Sequence, residues 1–370
     1  MYTLLMSSIY FPRHLRLPRE ESIKETMEQN RAAIIKEAHG PIVVEPIETW
    51  VPGPTEVLVR NEAISFNPIE AKIQKWDMFK STYPAITGFT FGGTVLQVGP
   101  EVTSVRPGDR VAVARWGWTG SDNKFGAFQK FPLALEQNLI KLEPHVSLHT
   151  AAGVIANLST VVAALSICMD LEFPPVTGMA KRNGQRIFIY GGSSSVGALA
   201  VQYASDAGYD VVTTSSPRNQ EMVQARGPSY IIDHTQPRDK LLAEIHSHEP
   251  YAGIFDAIGA SEVTELLGQL LAEGGGLFFS TSPTPVDDQL PKDVEKKWFG
   301  YSEVLVSDPQ NRNARKWYLE EYLPAGLQSG SIRSNPALHL PGGLKAVQEA
   351  LDLLYSGKVS GKKVFVNPQE

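Results

Sequence analysis

Seven consecutive residues, Gly191, Gly192, Ser193, Ser194, Ser195, Val196 and Gly197, are of the types that bring a peptide backbone close to phosphate. A turn of this composition leads into a helix N-terminus, where free N–H groups and the helix dipole favour an anion. Bare glycines there let a pyrophosphate approach. Gly192, Ser194 and Gly197 stand where the dinucleotide fingerprint G-x-G-x-x-G has its three glycines, so the match departs at Ser194. The ligand implied is a dinucleotide; the alternative is a glycine-rich strand-to-helix turn that binds nothing.

The second chemical signal is Thr214, Ser215, Ser216, Pro217, Arg218 and Asn219. An NAD-binding unit ends its second strand in Asp or Glu, about 20 residues beyond the glycines, to accept from the ribose 2′-hydroxyl. Hydroxyls, an amide and a guanidinium stand here instead, and they can donate to a 2′-phosphate that a carboxylate would repel. NADPH is therefore favoured over NADH. The other reading of Arg218 is a solvated residue in the first turn of the next helix.

The elements that must position these groups can be read on either side. Residues 186–190 form a short apolar run of buried-strand type. Val196, Leu199, Ala200, Tyr203 and Ala204 then recur at helical spacing, and 209–214 is a second β-rich run. Together they make a βαβ unit of roughly 30 residues. Further strands are expected at 229–233, 253–257 and 276–280, with amphipathic helices such as 260–271 between them. This alternation implies a doubly wound parallel sheet with ligands at the strand C-terminal ends. Two of those ends carry Ile258, Gly259 and Ser280. Upstream, 32–36, 42–47, 56–64, 92–98, 109–114 and 127–131 read as short strands between Gly-Pro turns. Among them, Asn67 caps a helical turn that Pro68 opens.

The 370 residues suffice for two domains, and 42% hydrophobic content is that of a globular protein. No apolar run is read as reaching the roughly 18 to 20 residues of a membrane span. A net charge of −6 offers no basic patch for nucleic acid. Cys168 is the one cysteine, which excludes an internal disulfide and a multi-cysteine zinc lobe. These features fit a cytoplasmic enzyme, monomeric or homodimeric. Residues 1–30 lack the basic start and cleavage site of a secretory signal and are expected to be a variable extension.

The order of parts resembles the medium-chain dehydrogenase/reductase superfamily over about residues 31–370. The resemblance is carried by Asn67-Pro68, Gly88 with Gly92-Gly93, 105–113, Gly126-Ala127-Phe128, Ser159-Thr160, the 191–197 turn and the closing Ser360-Gly361-Lys362-Lys363-Val364. Asn67-Pro68 with Lys72, the serine-rich turn and Thr213-Thr214-Ser215-Ser216-Pro217-Arg218-Asn219 resemble its zinc-free fungal branch, which includes trans-acting enoyl reductases of polyketide pathways. The fold implied is α/β: a GroES-like β-barrel catalytic domain at 31–160, completed by 335–370, and a Rossmann NADPH-binding domain at 161–334.

Alcohol dehydrogenases of this superfamily have Gly-His-Glu where this chain reads Gly88-Phe89-Thr90, and phenylalanine cannot ligate zinc. Cys168 lies in an apolar stretch, and His246-Ser247-His248 reads as a solvated helix end, so no metal is expected. Without a Lewis acid, reduction of an activated C=C bond is easier than reduction of a carbonyl, because hydride addition leaves an enolate that hydrogen-bond donors can stabilise. By resemblance Lys72 lies near the nicotinamide and the substrate carbonyl, where it would stabilise the enolate or donate a proton. A solvent-facing lysine is the other reading. Tyr83 is a second acid candidate, with rim packing as its alternative.

The resemblance also puts Asn67, Thr160, Ile258, Gly259, Ser280 and Lys363 beside the cofactor, with a surface lysine as the alternative for Lys363. The substrate implied is an unsaturated carbonyl or acyl thioester, with a polyketide synthase as a partner. A quinone or carbonyl reductase and an NADPH-binding sensor without turnover remain as alternatives.

Overall fold

A computed structural model describes residues 28–78, 81–283 and 290–370 of the chain. In the first lobe, β-branched and aromatic residues recur between tight turns and form short strands. β1 (Arg31–Ile35) and β2 (Ile42–Pro46) make an antiparallel ribbon. β3 (Glu56–Ser65), β4 (Thr90–Val98), β5 (Arg110–Ala114), β6 (Leu133–Leu135) and β7 (Leu139–Leu142) build an antiparallel sheet. Val57, Val59, Ile64, Phe91, Val111 and Val113 fill its interior, and Phe66 stacks on Phe128 with ring centres 5.1 Å apart. Helix α1 (Pro68–Trp76) leaves β3 and packs Ala71 and Ile73 inward.

The expected strand at 127–131 is reduced to a single bridge, Gln129 to Ala32. Gln129 instead spends its side chain on the loop before it, donating to Asn123 and Gly126. Asn30, read from sequence as the end of an extension, is fully buried and donates to Gln129 and Phe131. The rest of the expected extension, residues 1–27, lies outside the described residues.

α2 (Leu148–Val162) runs into one π-helical stretch, Ala163–Cys168. The combined helix, Leu148–Cys168, is long and apolar enough to cross a membrane by composition, which corrects the reading that no run reaches that length. Most of it is buried in the molecule's core, where Val154, Leu158, Val161 and Leu165 meet residues of both lobes.

The second lobe is a parallel sheet of β8 (Arg186–Tyr190), β9 (Asp210–Ser215), β10 (Tyr230–Asp233), β11 (Gly253–Asp256), β12 (Gly276–Ser280) and β13 (Val294–Trp298). Its order, β10-β9-β8-β11-β12-β13, is the Rossmann order, and the direction of winding reverses between β8 and β11. Helices α3 (Ser195–Asp206), α4 (Gln220–Gln224), α5 (Arg238–His246) and α6 (Ser261–Leu270) connect the strands. β13 lies beyond the last strand expected from the sequence, 276–280. Its Glu295, Lys296 and Lys297 are tolerated because an edge strand has water on one side.

α7 (Tyr301–Ser307) follows, then a helical run built of three pieces: α8 (Arg312–Lys316), a π-helical stretch Trp317–Tyr322, and α9 (Leu323–Ser329). The chain then returns to the first lobe. β14 (Ala337–His339) and, after α10 (Val347–Tyr355), β15 (Lys363–Val366) extend the antiparallel sheet, with β15 paired to β3.

Candidate active site

The turn between β8 and α3 is shaped by its glycines and by one serine. Gly191 holds φ +86, a conformation that favours glycine. A β-carbon on Gly192 would stand 2.3 Å from Thr213 Oγ1, and one on Gly197 would stand 2.1 Å from the Gly191 carbonyl. Ser194 explains its own departure from the fingerprint. Its backbone is extended, so glycine is unnecessary, and its Oγ caps α3 by accepting from Gly197 N–H at 2.9 Å. Ser195 and Val196 open the helix, so their N–H groups have no carbonyl a turn earlier. Asn335, which the sequence reading missed, donates to the Ser193 carbonyl at 3.0 Å, and its Oδ1 is buried with no partner among the described residues. Free N–H groups, a dipole end and an unsatisfied polar atom together fit a dinucleotide pyrophosphate.

Beside this turn, at the reversal point of the sheet, Ile258 lies over Gly191, where an added β-carbon would come within 2.5 Å of it. The anchor is Asp256, at the close of β11. Its buried carboxylate accepts from Ile258 N–H and Gly259 N–H at 2.9 Å each, and from Ser280 Oγ at 2.8 Å. Burial raises its pKa, while these donors and Lys296 oppose the rise. Ser280 is thereby spent on the strand ends. Gly259 instead lies against Ser282, whose Oγ would be 2.5 Å from an added β-carbon.

Lys72 meets that same serine from the other lobe. Its Nζ donates to Ser282 Oγ at 2.8 Å and lies 5.7 Å from the centre of the Trp76 ring. Partial burial lowers the lysine pKa, the charge of Lys296 lowers it further, and Asp256 opposes both. Tyr83 is placed differently. Its hydroxyl donates to Asp77 at 2.6 Å, and burial with that carboxylate pushes its pKa up to about 12.

Asn67 caps α1 and belongs to a buried network below Lys72. Its N–H and Nδ2 donate to Glu70 at 2.6 and 3.3 Å, and Phe89 N–H donates to the same carboxylate at 3.2 Å. Lys363 donates to Asn67 Oδ1 at 2.6 Å. Lys363 is 3% exposed and Glu70 is 0% exposed, so neither is a surface charge and the lysine is held within the first lobe. Burial pushes Glu70 up to about 7 and Lys363 down to about 8, each opposed by the other's charge.

Thr160 bonds Ser302 of α7 at 3.1 Å, with Ser159 at 2.8 Å from the same hydroxyl. Ser215 donates to the Ser216 carbonyl, Asn219 donates to Ser216 Oγ at 3.2 Å, and Arg218 is exposed beside them. Phe89 lines a cavity of about 110 Å³ with Ile73, Ser81, Thr82, Ile86 and Arg115. Arg115 walls this cavity by donating to the carbonyls of Thr119, Ile86 and Asp122. Among the described residues no three of His, Cys, Asp or Glu gather as a metal site. Cys168 is a half-buried thiol whose pKa burial pushes up to about 11.

Residues 53–144 match the alcohol dehydrogenase GroES-like domain. The dehydrogenase azaJ of Aspergillus niger is 32% identical over 354 residues, covering 92% of this chain and 99% of that protein. The trans-enoyl reductase himH of Aspergillus japonicus is 31% identical over 318 residues, covering 84% and 89%. Among solved structures, a quinone oxidoreductase of Pseudomonas syringae superposes with a TM-score of 0.72 at 23% identity, covering 92% of this chain and all of that one. A mycobacterial protein complexed with NADPH gives 0.72 at 21% identity over 92% of this chain. With relatives above 30% identity along most of its length, a GroES-like lobe and a Rossmann-ordered sheet, the chain belongs to the medium-chain dehydrogenase/reductase superfamily, close to fungal trans-enoyl reductases.

Proposed function

We propose that the protein is an NADPH-dependent, zinc-independent oxidoreductase that reduces an activated C=C bond, as an enoyl or enone reductase. The observation that carries this reading is the Lys72 ammonium. It comes from α1 of the first lobe and lies at the strand ends of the parallel sheet, against Ser282. Phe89 occupies the position at which zinc-bearing relatives have histidine.

When bound, the nicotinamide supplies hydride to the β-carbon of an α,β-unsaturated carbonyl. The chain's own residues then divide the remaining work. Lys72 stabilises charge on the substrate oxygen or gives the α-carbon its proton, and its lowered pKa makes it a readier donor than a solvated lysine. Ser282 orients it. The 191–197 turn holds pyrophosphate, while Ser216 and Arg218 hold the 2′-phosphate in a seat that Ser215 and Asn219 shape through their bonds to the Ser216 carbonyl and hydroxyl. Thr160, Ile258 and Gly259 flank the nicotinamide half. Tyr83 keeps its proton, donating a hydrogen bond to Asp77, and serves as a positioning group for the loop behind α1.

The similarity to proteins named trans-enoyl reductases supports an acyl thioester substrate presented by a separate polyketide synthase. The test is NADPH oxidation with enones, enoyl thioesters, quinones and aldehydes. Turnover of enones or enoyl thioesters is expected. Turnover confined to quinones or aldehydes would replace this reading with that of a quinone or carbonyl reductase. NADPH binding without any turnover would replace it with a sensor.

A further inference from the structure

The end of β9 is closed by a residue of the opposite lobe. Asn219 Nδ2 donates to two hydroxyl oxygens, Ser216 Oγ at 3.2 Å and Ser360 Oγ at 2.8 Å. A hydroxyl that accepts still has its own proton to give. One amide therefore fixes two serines, 144 positions apart in the chain, as donors toward a further acceptor. The loop carrying Ser360 is seated directly on that amide: Gly361 holds φ +64, and a β-carbon there would stand 2.4 Å from Asn219 Oδ1. Arg218, exposed, stands between Ser216 and Asn219 in the chain. The carboxylate opposite Ser215 in register, Asp233, is already engaged by the N–H and hydroxyl of Thr235.

We propose that Ser360 is a specificity-determining residue for a phosphate monoester, so that both lobes grip the 2′-phosphate, with Asn219 as the residue that positions the two hydroxyls. This rests on the NADPH reading above. A dianion bound there satisfies donors from both sides of the cleft and so favours the arrangement in which 358–361 lies against Asn219. By linkage, whatever draws the lobes together tightens the phosphorylated cofactor by the same factor. NADH has no group for Ser360 to recognise.

The experiment titrates the full chain with 2′,5′-ADP and 5′-AMP by calorimetry, and with NADPH and NADH by fluorescence. It compares wild type with Ser360→Ala, Ser360→Thr and Arg218→Ala. Loss of one charge-assisted hydrogen bond in Ser360→Ala should weaken 2′,5′-ADP and NADPH by about tenfold. Affinities for 5′-AMP and NADH should stay within about twofold, since they lack the acceptor. Ser360→Thr should bind as wild type does. Amide exchange across 358–362 should slow with 2′,5′-ADP but not with 5′-AMP, and Ser360→Ala should abolish that difference. If Ser360→Ala binds 2′,5′-ADP normally while Arg218→Ala does not, this proposal falls and the NADPH reading stands. A wild type that cannot tell 2′,5′-ADP from 5′-AMP would overturn both.

Discussion

Lys72 and Ser282 meet at 2.8 Å although 210 positions separate them, and their bond joins α1 of one lobe to the strand ends of the other. Removing the ammonium should damage chemistry more than binding. Lys72→Ala should lower kcat by about a hundredfold or more, the usual scale for a positioned acid, with NADPH affinity within about twofold of wild type. Steady-state kinetics beside cofactor titration separates the two, and a variant with normal kcat would clear Lys72 of a chemical role. Its pKa lies below the ordinary 10.5. Activity that needs the protonated form is therefore lost as pH rises through that lowered value, and Lys72→Met should erase this limb of the profile.

The buried pair Glu70 and Lys363 should leave a mark on stability against pH. Glu70 is raised from 4.5 to about 7, so the folded state holds its proton more tightly than the unfolded chain does. The contribution to stability is full below pH 4.5 and is lost as pH climbs through about 7, with a slope of at most about 1.4 kcal/mol per unit. Lys363, lowered from 10.5 to about 8, acts in the opposite sense: its contribution is present above 10.5 and lost as pH falls through about 8. Urea unfolding at several pH values should show the acid-side slope in wild type and not in Glu70→Gln. Parallel profiles for the two proteins would refute the assignment.

Cofactor preference offers a cleaner reading than turnover. A carboxylate at Ser216 repels a 2′-phosphate and accepts from a 2′-hydroxyl. Ser216→Asp combined with Arg218→Ala should thus reverse the preference between NADPH and NADH by about a hundredfold or more. Unchanged dissociation constants for both nucleotides would show that the phosphate is held elsewhere.

Ser194 and Gly192 should part company on substitution. Ser194→Gly removes a cap and a long bond to the Ala257 carbonyl and should cost about a few tenths of a kcal/mol of stability with the cofactor still bound. Gly192→Ala drives a methyl into Thr213 Oγ1, 2.3 Å away, and should abolish nucleotide binding by displacing the turn. Calorimetry and thermal unfolding on both variants test this; a Gly192→Ala protein that binds NADPH normally would contradict it.

Metal dependence can be read directly. With Phe89 at the position of a zinc ligand in related enzymes, prolonged dialysis against a chelator should leave enone reduction unchanged and elemental analysis should find no stoichiometric zinc. Activity that disappears on dialysis and returns with zinc would defeat the zinc-independent reading.

The parts legible in the sequence are those written in local pattern. The run from Arg186 to Ser215 announces strand, turn, helix and strand because periodicity and glycine punctuation are short-range properties. Asn67 as a cap and the parallel sheet follow from the same kind of signal. What stayed hidden depends on pairing across the fold. Ser282, Ser360 and Asn335 are ordinary polar residues until another lobe presents a partner, and Asp256 reads as the end of a strand until Ser280 arrives from the next one. Val294–Trp298 escaped because edge strands carry charge, which blurs the β pattern. Lys363 could be read as a surface charge because burial of a lysine is invisible without Asn67 and Glu70 beside it.

The return of β15 to the edge of β3 has a bearing on how the protein can be cut or joined. The polypeptide crosses from the first lobe to the second and comes back, so the first lobe cannot be excised as one continuous stretch, although the second can. A chain ending just before Lys363 would lose the strand between β14 and β3, and with it the lysine beneath α1. Dissection of this enzyme into separately expressed halves therefore requires the final segment to be supplied in trans as a peptide, with strand addition at β3 as the docking step.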